Sequence, residues 1–394
     1  MKKKMLIILP IIALFVSSLT LILIFTLKDK PQNHNSTKWL AGLVNSNGES
    51  IAWSELKDGE KIKVSDDNVL EYVDKSLTGV LTLDNSITKI GDRACEYANI
   101  TGIELGNNVT SIGMDAFLSS RLTSINIPSS VRYIGLDAFY NCQGLTSLVL
   151  NEGLETIGYN AFYNCPFTEL HIPSSVTLID EAAFMECKEI KNEVVIPASI
   201  TKILNSTFKG CKKVPSFTFE GDITMISDKA FFDCESISSI DLKSVASIGK
   251  EAFRNCKNLK AITTPQSLAS IGDSAFENCR ALTQVNLNNA IKSIGSAAFS
   301  NCLSLEEINL PSCISKIASS TFYACSKLQS ISITANIKEI GLNAFYGCFN
   351  TSFNIEPGLM LKASKGSDTL EIDNANDLKE KLLSSYIIKI STSA

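Results

Sequence analysis

The sequence predicts a repeat solenoid of about twelve stacked coils, each 22–24 residues long, and three recurring features carry that prediction. An aromatic returns as Phe117, Phe139, Phe162, Phe184, Phe208, Phe231, Phe253, Phe276, Phe299, Phe322 and Phe345, at intervals of 22, 23, 22, 24, 23, 22, 23, 23, 23 and 23 residues. Three places after it stand ten cysteines: Cys142, Cys165, Cys187, Cys211, Cys234, Cys256, Cys279, Cys302, Cys325 and Cys348. An alternation such as Leu145-Thr-Ser-Leu148-Val-Leu150 follows each cysteine. A fixed period of this length marks units too small to bury their own apolar face, so that each must stack on its neighbours.

Each segment of the unit has a local reading. The Leu-x-x-Ile-x-Ile alternation suits one short strand per repeat. Pro128, Pro173, Pro197 and Pro311 follow that strand, where a missing N–H ends pairing at little cost. The segment around Ala138-Phe139 is too short for a long helix and reads as a single helical or 3₁₀ turn crossing the outer face. Gly91, Gly113, Gly135, Gly158, Gly249, Gly272, Gly295 and Gly341 suggest a corner with φ > 0, although Asp180, Leu204, Ser227 and Ala318 replace them elsewhere. The 24-residue interval before Phe208 places one extra residue within 190–194, read as a bulge.

Ile294-Gly295-Ser-Ala-Ala298-Phe299-Ser-Asn-Cys302-Leu-Ser-Leu305-Glu-Glu-Ile308-Asn-Leu310-Pro311 resembles the BspA-type leucine-rich repeat, found on bacterial and some protist cell surfaces. The resemblance covers residues 77–355. It implies a right-handed solenoid with a parallel β-sheet on its inner face and short turns or 3₁₀ segments on the other, and it implies no particular ligand. Departures gather at the N-terminal end, where Cys95 stands for Phe, and Ala98 and Ser120 stand for Cys. Atypical terminal repeats act as caps.

The ends complete the layout. Residues 5–27 carry no charge and follow Lys2, Lys3 and Lys4. As a helix they would span roughly 34 Å at about 1.5 Å per residue, enough for a bilayer core. Segment 1–28 is therefore an uncleaved signal-anchor or a secretory signal peptide. The anchor is preferred, because cleavage after Ser18 would leave Leu19–Leu27 apolar and exposed. Residues 29–37 form a polar tether, and 38–76, with Trp39 and Trp53, a β-rich N-terminal cap. Residues 356–394 form a C-terminal cap, with a hairpin around Lys365-Gly366-Ser367 and a short helix capped by Asn374 or Asn376.

Composition narrows function. With 45% hydrophobic residues and a net charge of −5, the chain has a core but no basic stripe, which argues against nucleic acid as a partner. Stacked cysteines lie within bridging distance, yet equivalent side chains point the same way, so a buried ladder of free thiols is preferred to disulfides. Ala98 and Ser120 suggest that the slot selects small size. Cys313 reads as the exposed thiol. Only His34 and His171 are present, the glycines follow no phosphate-loop pattern, and no Cys-x-x-Cys occurs. No catalytic residue, metal or cofactor is therefore expected.

The outward position of each strand forms a column, and a binding site is expected there, first at Asp241, Thr263, Asn286, Asn309 and Ser332, with His171 further up. These residues suit hydrogen bonding to a protein or glycan ligand. The expected function is a membrane-anchored, extracellularly displayed interaction surface, contacting the lipid bilayer through its N-terminal helix and serving adhesion to host or neighbouring cells. The alternatives are a structural coat component, an envelope scaffold, and a secreted form after signal cleavage.

Overall fold

The computed structural model describes residues 43–44, 50–51, 56, 60–372 and 374–392. The apolar segment 5–27, the tether 29–37, and Trp39 and Trp53 of the N-terminal cap lie outside the described residues. Among the described residues no helix is long and apolar enough to cross a membrane.

The repeats stack as a parallel β-solenoid. Ser124–Ile127 pairs in parallel with Ser147–Leu150, with Ile125 opposite Leu148 and Asn126 opposite Val149. This longer strand recurs along the chain as an inner sheet in four blocks. They are Gly79 to Leu150, Val194 to Phe219, Ala261 to Ile308, and Ser330 to Ile355. A second ladder, which alternation did not reveal, runs beside it. Its rungs are two residues long, such as Tyr133–Ile134 between Ser111–Ile112 and Thr156–Ile157. Most coils thus carry two strands rather than one, and the second went unread because a two-residue strand is too short to show a period.

The segment around Phe139 is not helical. Overlapping turns run from Ala138 to Gly135, Tyr140 to Asp137 and Cys142 to Phe139. Asp137 and Asn141 have φ of 52° and 57°, which stops helical propagation. The N–H groups of Asp137, Phe139 and Asn141 therefore point along the stack. They donate to the carbonyls of Tyr159, Ala161 and Tyr163 in the next coil at 2.9, 2.8 and 2.8 Å. A helix would have consumed those donors internally. Turning them outward ties the coils together on a third face.

The recurrent Ile-Gly glycine does not take φ > 0 at the corner. Left-handed residues stand instead two places later and just before the slot that the ladder cysteines occupy, filled by Asp115 and Ser119 (before Ser120), Asn160 and Asn164, or Glu251 and Asn255. Glycine enters that second position at Gly210 and Gly347, with φ of 79° and 84°. The Ile-Gly glycine serves close backbone approach. A Cβ on Gly135 would lie 2.7 Å from the Gly113 carbonyl carbon, and one on Gly272 would lie 2.6 Å from that of Gly249. Where Leu204 and Ala318 stand, the second ladder breaks, between Ile179 and Lys202 and again between Ile294 and Lys316. Asp180 and Ser227 keep their rungs, so the larger Cβ is tolerated in some coils.

The long interval contains a repair rather than a simple bulge. The coil of Cys165 is one residue short before Leu170, and the next is one long before Val194. The Asn192 side chain fills the mismatch. Its Oδ1 accepts from the Leu170 N–H at 3.0 Å, and its Nδ2 donates to the Leu170 carbonyl at 2.9 Å. A side-chain amide thereby replaces a peptide unit in the ladder.

Eleven phenylalanines stand in single file through the core. Neighbouring rings are parallel within 17°, with centroids between 5.0 Å (Phe117–Phe139) and 5.9 Å (Phe299–Phe322). That spacing is an offset stack. Each ring is completely buried, a contribution of about 1.5–3 kcal/mol per side chain.

Both ends of the second ladder are covered. Val69–Val73 pairs with Ile62–Val64 on one side and with Lys89–Ile90 on the other. At the far end, Ile387–Thr392 lies antiparallel between Glu339–Ile340 and Leu359–Lys365, which in turn pairs with Asp368–Ile372. Helix Ala375–Leu383 begins at Asn374, whose side chain accepts from the N–H groups of Asn376 and Asp377 at 2.9 and 3.0 Å, and it buries Leu378 and Leu382.

Candidate functional site

Inner-sheet geometry follows from register. Because parallel pairing is in step, outward side chains fall in line: Val195 beside Thr218, Thr263 beside Asn286, Ser332 beside Asn354. Asp241, Thr263, Asn286, Asn309, Ser332 and His171 are all exposed. Thr263 and Asn286 are brought together, with Asn286 Nδ2 donating to Thr263 Oγ1 at 3.5 Å and Gln284 Nε2 reaching Asn286 Oδ1 at 3.4 Å. Asn309 follows strand Glu307–Ile308 and donates to Glu307 Oε1 at 3.3 Å. Ser332 belongs to the next block. His171 and Asp241 lie in coils without an inner strand, so the sheet does not carry them in register with the others. His171 is thus not in a strand: the short Cys165 coil loses its pairing there.

The chemistry available on this face is hydrogen bonding. His171 Nε2 stands 3.8 Å from Glu169, and Asp241 stands 3.7 Å from Lys243. Among the described residues no group of His, Cys, Asp and Glu is placed to hold a metal ion. The ladder cysteines are free and buried, and Cys313 is free and exposed. Each ladder thiol donates to the carbonyl of the Phe one coil earlier, from Cys142 to Phe117 at 3.0 Å through Cys348 to Phe322 at 3.0 Å. Burial pushes the Cys187 and Cys348 thiols up to about 12, so they stay protonated and unreactive at neutral pH. From Cys142 onward the slot thus holds a hydrogen-bond donor as well as a small side chain, whereas Ala98 in the first coil keeps only the small size. Its sequence signal was the invariant spacing from Phe to Cys.

Other faces hold the coils together. Glu235 accepts from Lys257 at 2.8 Å and Lys212 at 3.1 Å, which holds its carboxyl below the usual range. The side-chain amides of Asn99, Asn108, Asn205 and Asn350, each in an Asn-x-Ser/Thr triplet, all reach back to the preceding coil.

A corner column escaped the sequence reading. The residue after each Ile-Gly slot points outward, giving Asp92, Met114, Leu136, Tyr159, Glu181, Asn205 and Asp228. Backbone bonds tie it in register, with the carbonyls of Leu136, Tyr159 and Glu181 accepting from the N–H groups of Asp115, Asp137 and Asn160. Met114, Leu136 and Tyr159 are exposed, and Tyr133 and Leu178 flank them. The signal was a column one residue past the glycine, legible once the period was known.

Comparison with known proteins agrees with this architecture. No curated protein matches the chain. The chain is similar to a leucine-rich repeat protein from Bacteroides ovatus, 26% identical, with a TM-score of 0.56, covering 75% of this chain and 98% of that one. It also matches a leucine-rich cell surface protein from Faecalibacterium prausnitzii, 22% identical, with a TM-score of 0.42, over 75% and 92% of the two chains. The BspA type leucine-rich repeat region matches in six copies over residues 71–191, 190–273 and 246–361. Repeats with this periodicity, this inner sheet and this match make the chain a member of the BspA-type leucine-rich repeat family.

Proposed function

We propose that this chain is a cell-surface interaction protein that serves adhesion, with residues 5–27 anchoring it in a bilayer and the repeat array outside. The observation that carries the reading is the inner column, where Thr263 and Asn286 stand exposed in register on a sheet fixed by stacking. A preorganised face loses little conformational entropy when it binds, so many weak polar contacts can add up along it. Membership of a family typical of cell surfaces and the charge-free segment behind three lysines support the external placement. A repeat scaffold held together by buried, free thiols supports binding rather than catalysis.

The test uses intact cells carrying the chain with a C-terminal tag. External protease should remove the tag while cytoplasmic markers survive, and survival of the tag until lysis would end the reading. The purified chain should bind foreign cells or matrix saturably, and the double variant Asn286→Ala, Asn309→Ala should weaken that binding.

A further inference from the structure

We propose that a trough beside the corner column binds a neutral glycan. The site goes beyond the inner column and shares no residue with it. The trough holds about 420 Å³, within the range of small-ligand sites. Glu181, Asn205 and Asp228 line it from the corner column, Met225, Ser247 and Ser270 from the second ladder, and Leu204, Ser227 and Gly249 from the slot between.

Its hydrogen-bonding groups are held ready. Ser227, Ser247 and Ser270 are half-buried, and among the described residues their hydroxyls have no protein partner. On the same face Thr110, Thr177 and Thr224 instead close onto carbonyls of the preceding coil. Asn205 Nδ2 donates to Glu181 Oε1 at 2.8 Å, while the N–H groups of Asp228 and Lys250 donate to Asn205 Oδ1 and Asp228 Oδ1 at 3.1 and 2.7 Å. One oxygen each of Glu181 and Asp228 is left to accept from a ligand hydroxyl. Met225, Ser247 and Ser270 stand on consecutive rungs, so the groups repeat at ~4.8 Å, about the length of one pyranose ring.

The lining also selects. No Lys or Arg lines the trough, and its two carboxylates repel phosphate, sulfate and uronate. Exposed Tyr159, one coil before Glu181 in the same column, offers a ring on which sugar C–H faces can lie. Hydroxyl donors, fixed acceptors, the apolar side chains of Leu204 and Met225 and an aromatic in the same column together fit an uncharged hexose chain.

The test is calorimetric titration of the full-length chain in detergent micelles with cellohexaose, laminarihexaose and mannohexaose, and with a hexagalacturonate as anionic control. At least one neutral hexasaccharide should bind saturably. The double variant Ser247→Ala, Ser270→Ala should weaken binding about tenfold or more, as loss of two hydrogen bonds implies. Its urea midpoint should stay put, because neither hydroxyl holds a protein partner. Ser270→Leu, which fills the trough, should abolish binding, and Asn286→Ala with Asn309→Ala should leave it intact even if they end adhesion. Absence of binding to all three neutral sugars, stronger binding of the uronate, or an unchanged affinity in the alanine variant would overturn the proposal.

Discussion

Cys279 donates its thiol hydrogen to the carbonyl oxygen of Phe253, one coil earlier, at 3.2 Å. That carbonyl already accepts from the Cys256 N–H at 3.1 Å, so the thiol takes up its second lone pair. Serine keeps both the donor and the small volume at this position. Cys279→Ser should therefore cost about 1 kcal/mol. Cys279→Val, with no donor and an extra methyl, should cost about 1–3 kcal/mol. Urea midpoints of the two variants check the order, and a valine variant as stable as the serine one would show that size alone matters.

Alkali should unfold the array. Burial raises the ladder thiols from Cys165 onward, with Cys187 and Cys348 at about 12, above an unfolded value near 8.5, whereas hydrogen bonds from Cys165 and Ser120 hold Cys142 down. The folded chain then binds more protons than the unfolded one between those limits. Stability is fully present below about pH 8.5 and is lost as pH rises toward 12. Urea midpoints measured from pH 7 to 11 should hold level and then fall. At pH 8, iodoacetamide should label Cys313 alone in the native chain, and all twelve cysteines in denaturant.

Gly272→Ala should be costly, by about 2 kcal/mol or more, because its methyl would press on Gly249 backbone at 2.6 Å. Gly210→Ala should cost about 1–2 kcal/mol, since its φ of 79° is near a conformation that non-glycine residues adopt in other coils. Thermal melts of the pair test whether backbone crowding outweighs backbone handedness here.

Asn192→Leu removes three hydrogen bonds, two of them to Leu170, and leaves the Leu170 N–H and carbonyl without those partners, a loss of about 2–3 kcal/mol. Hydrogen exchange at the Leu170 amide should accelerate in the variant while exchange at Phe253 stays slow. Equal acceleration at both sites would mean that the array opens as one unit.

These cases show what a single strand of text carries. Phe, Cys and the Leu-x-x-Ile-x-Ile alternation are local, and they sufficed for the stacked coils and the inner column that holds Thr263 beside Asn286. The crowding at Gly135 was not legible, because it arises between backbones 22 residues apart. The second ladder escaped because Tyr133–Ile134 is too brief to alternate. The left-handed positions did leave a trace, in Asn141, Asn164, Asn255, Asn278 and Asn301 before their cysteines. The trough beside Glu181 and Asp228 depends on which coils adjoin, and it emerges only after folding.

The returning strand Ile387–Thr392 grips Glu339–Ile340 from the far side of the hairpin and helix. The last ladder rung is thus paired on both sides and has no free edge to offer a newcomer. A whole coil added or removed upstream of Glu339 leaves that closure intact, whereas a shift of one residue within Glu339–Ile340 would put its side chains out of step with Ile388 and Lys389.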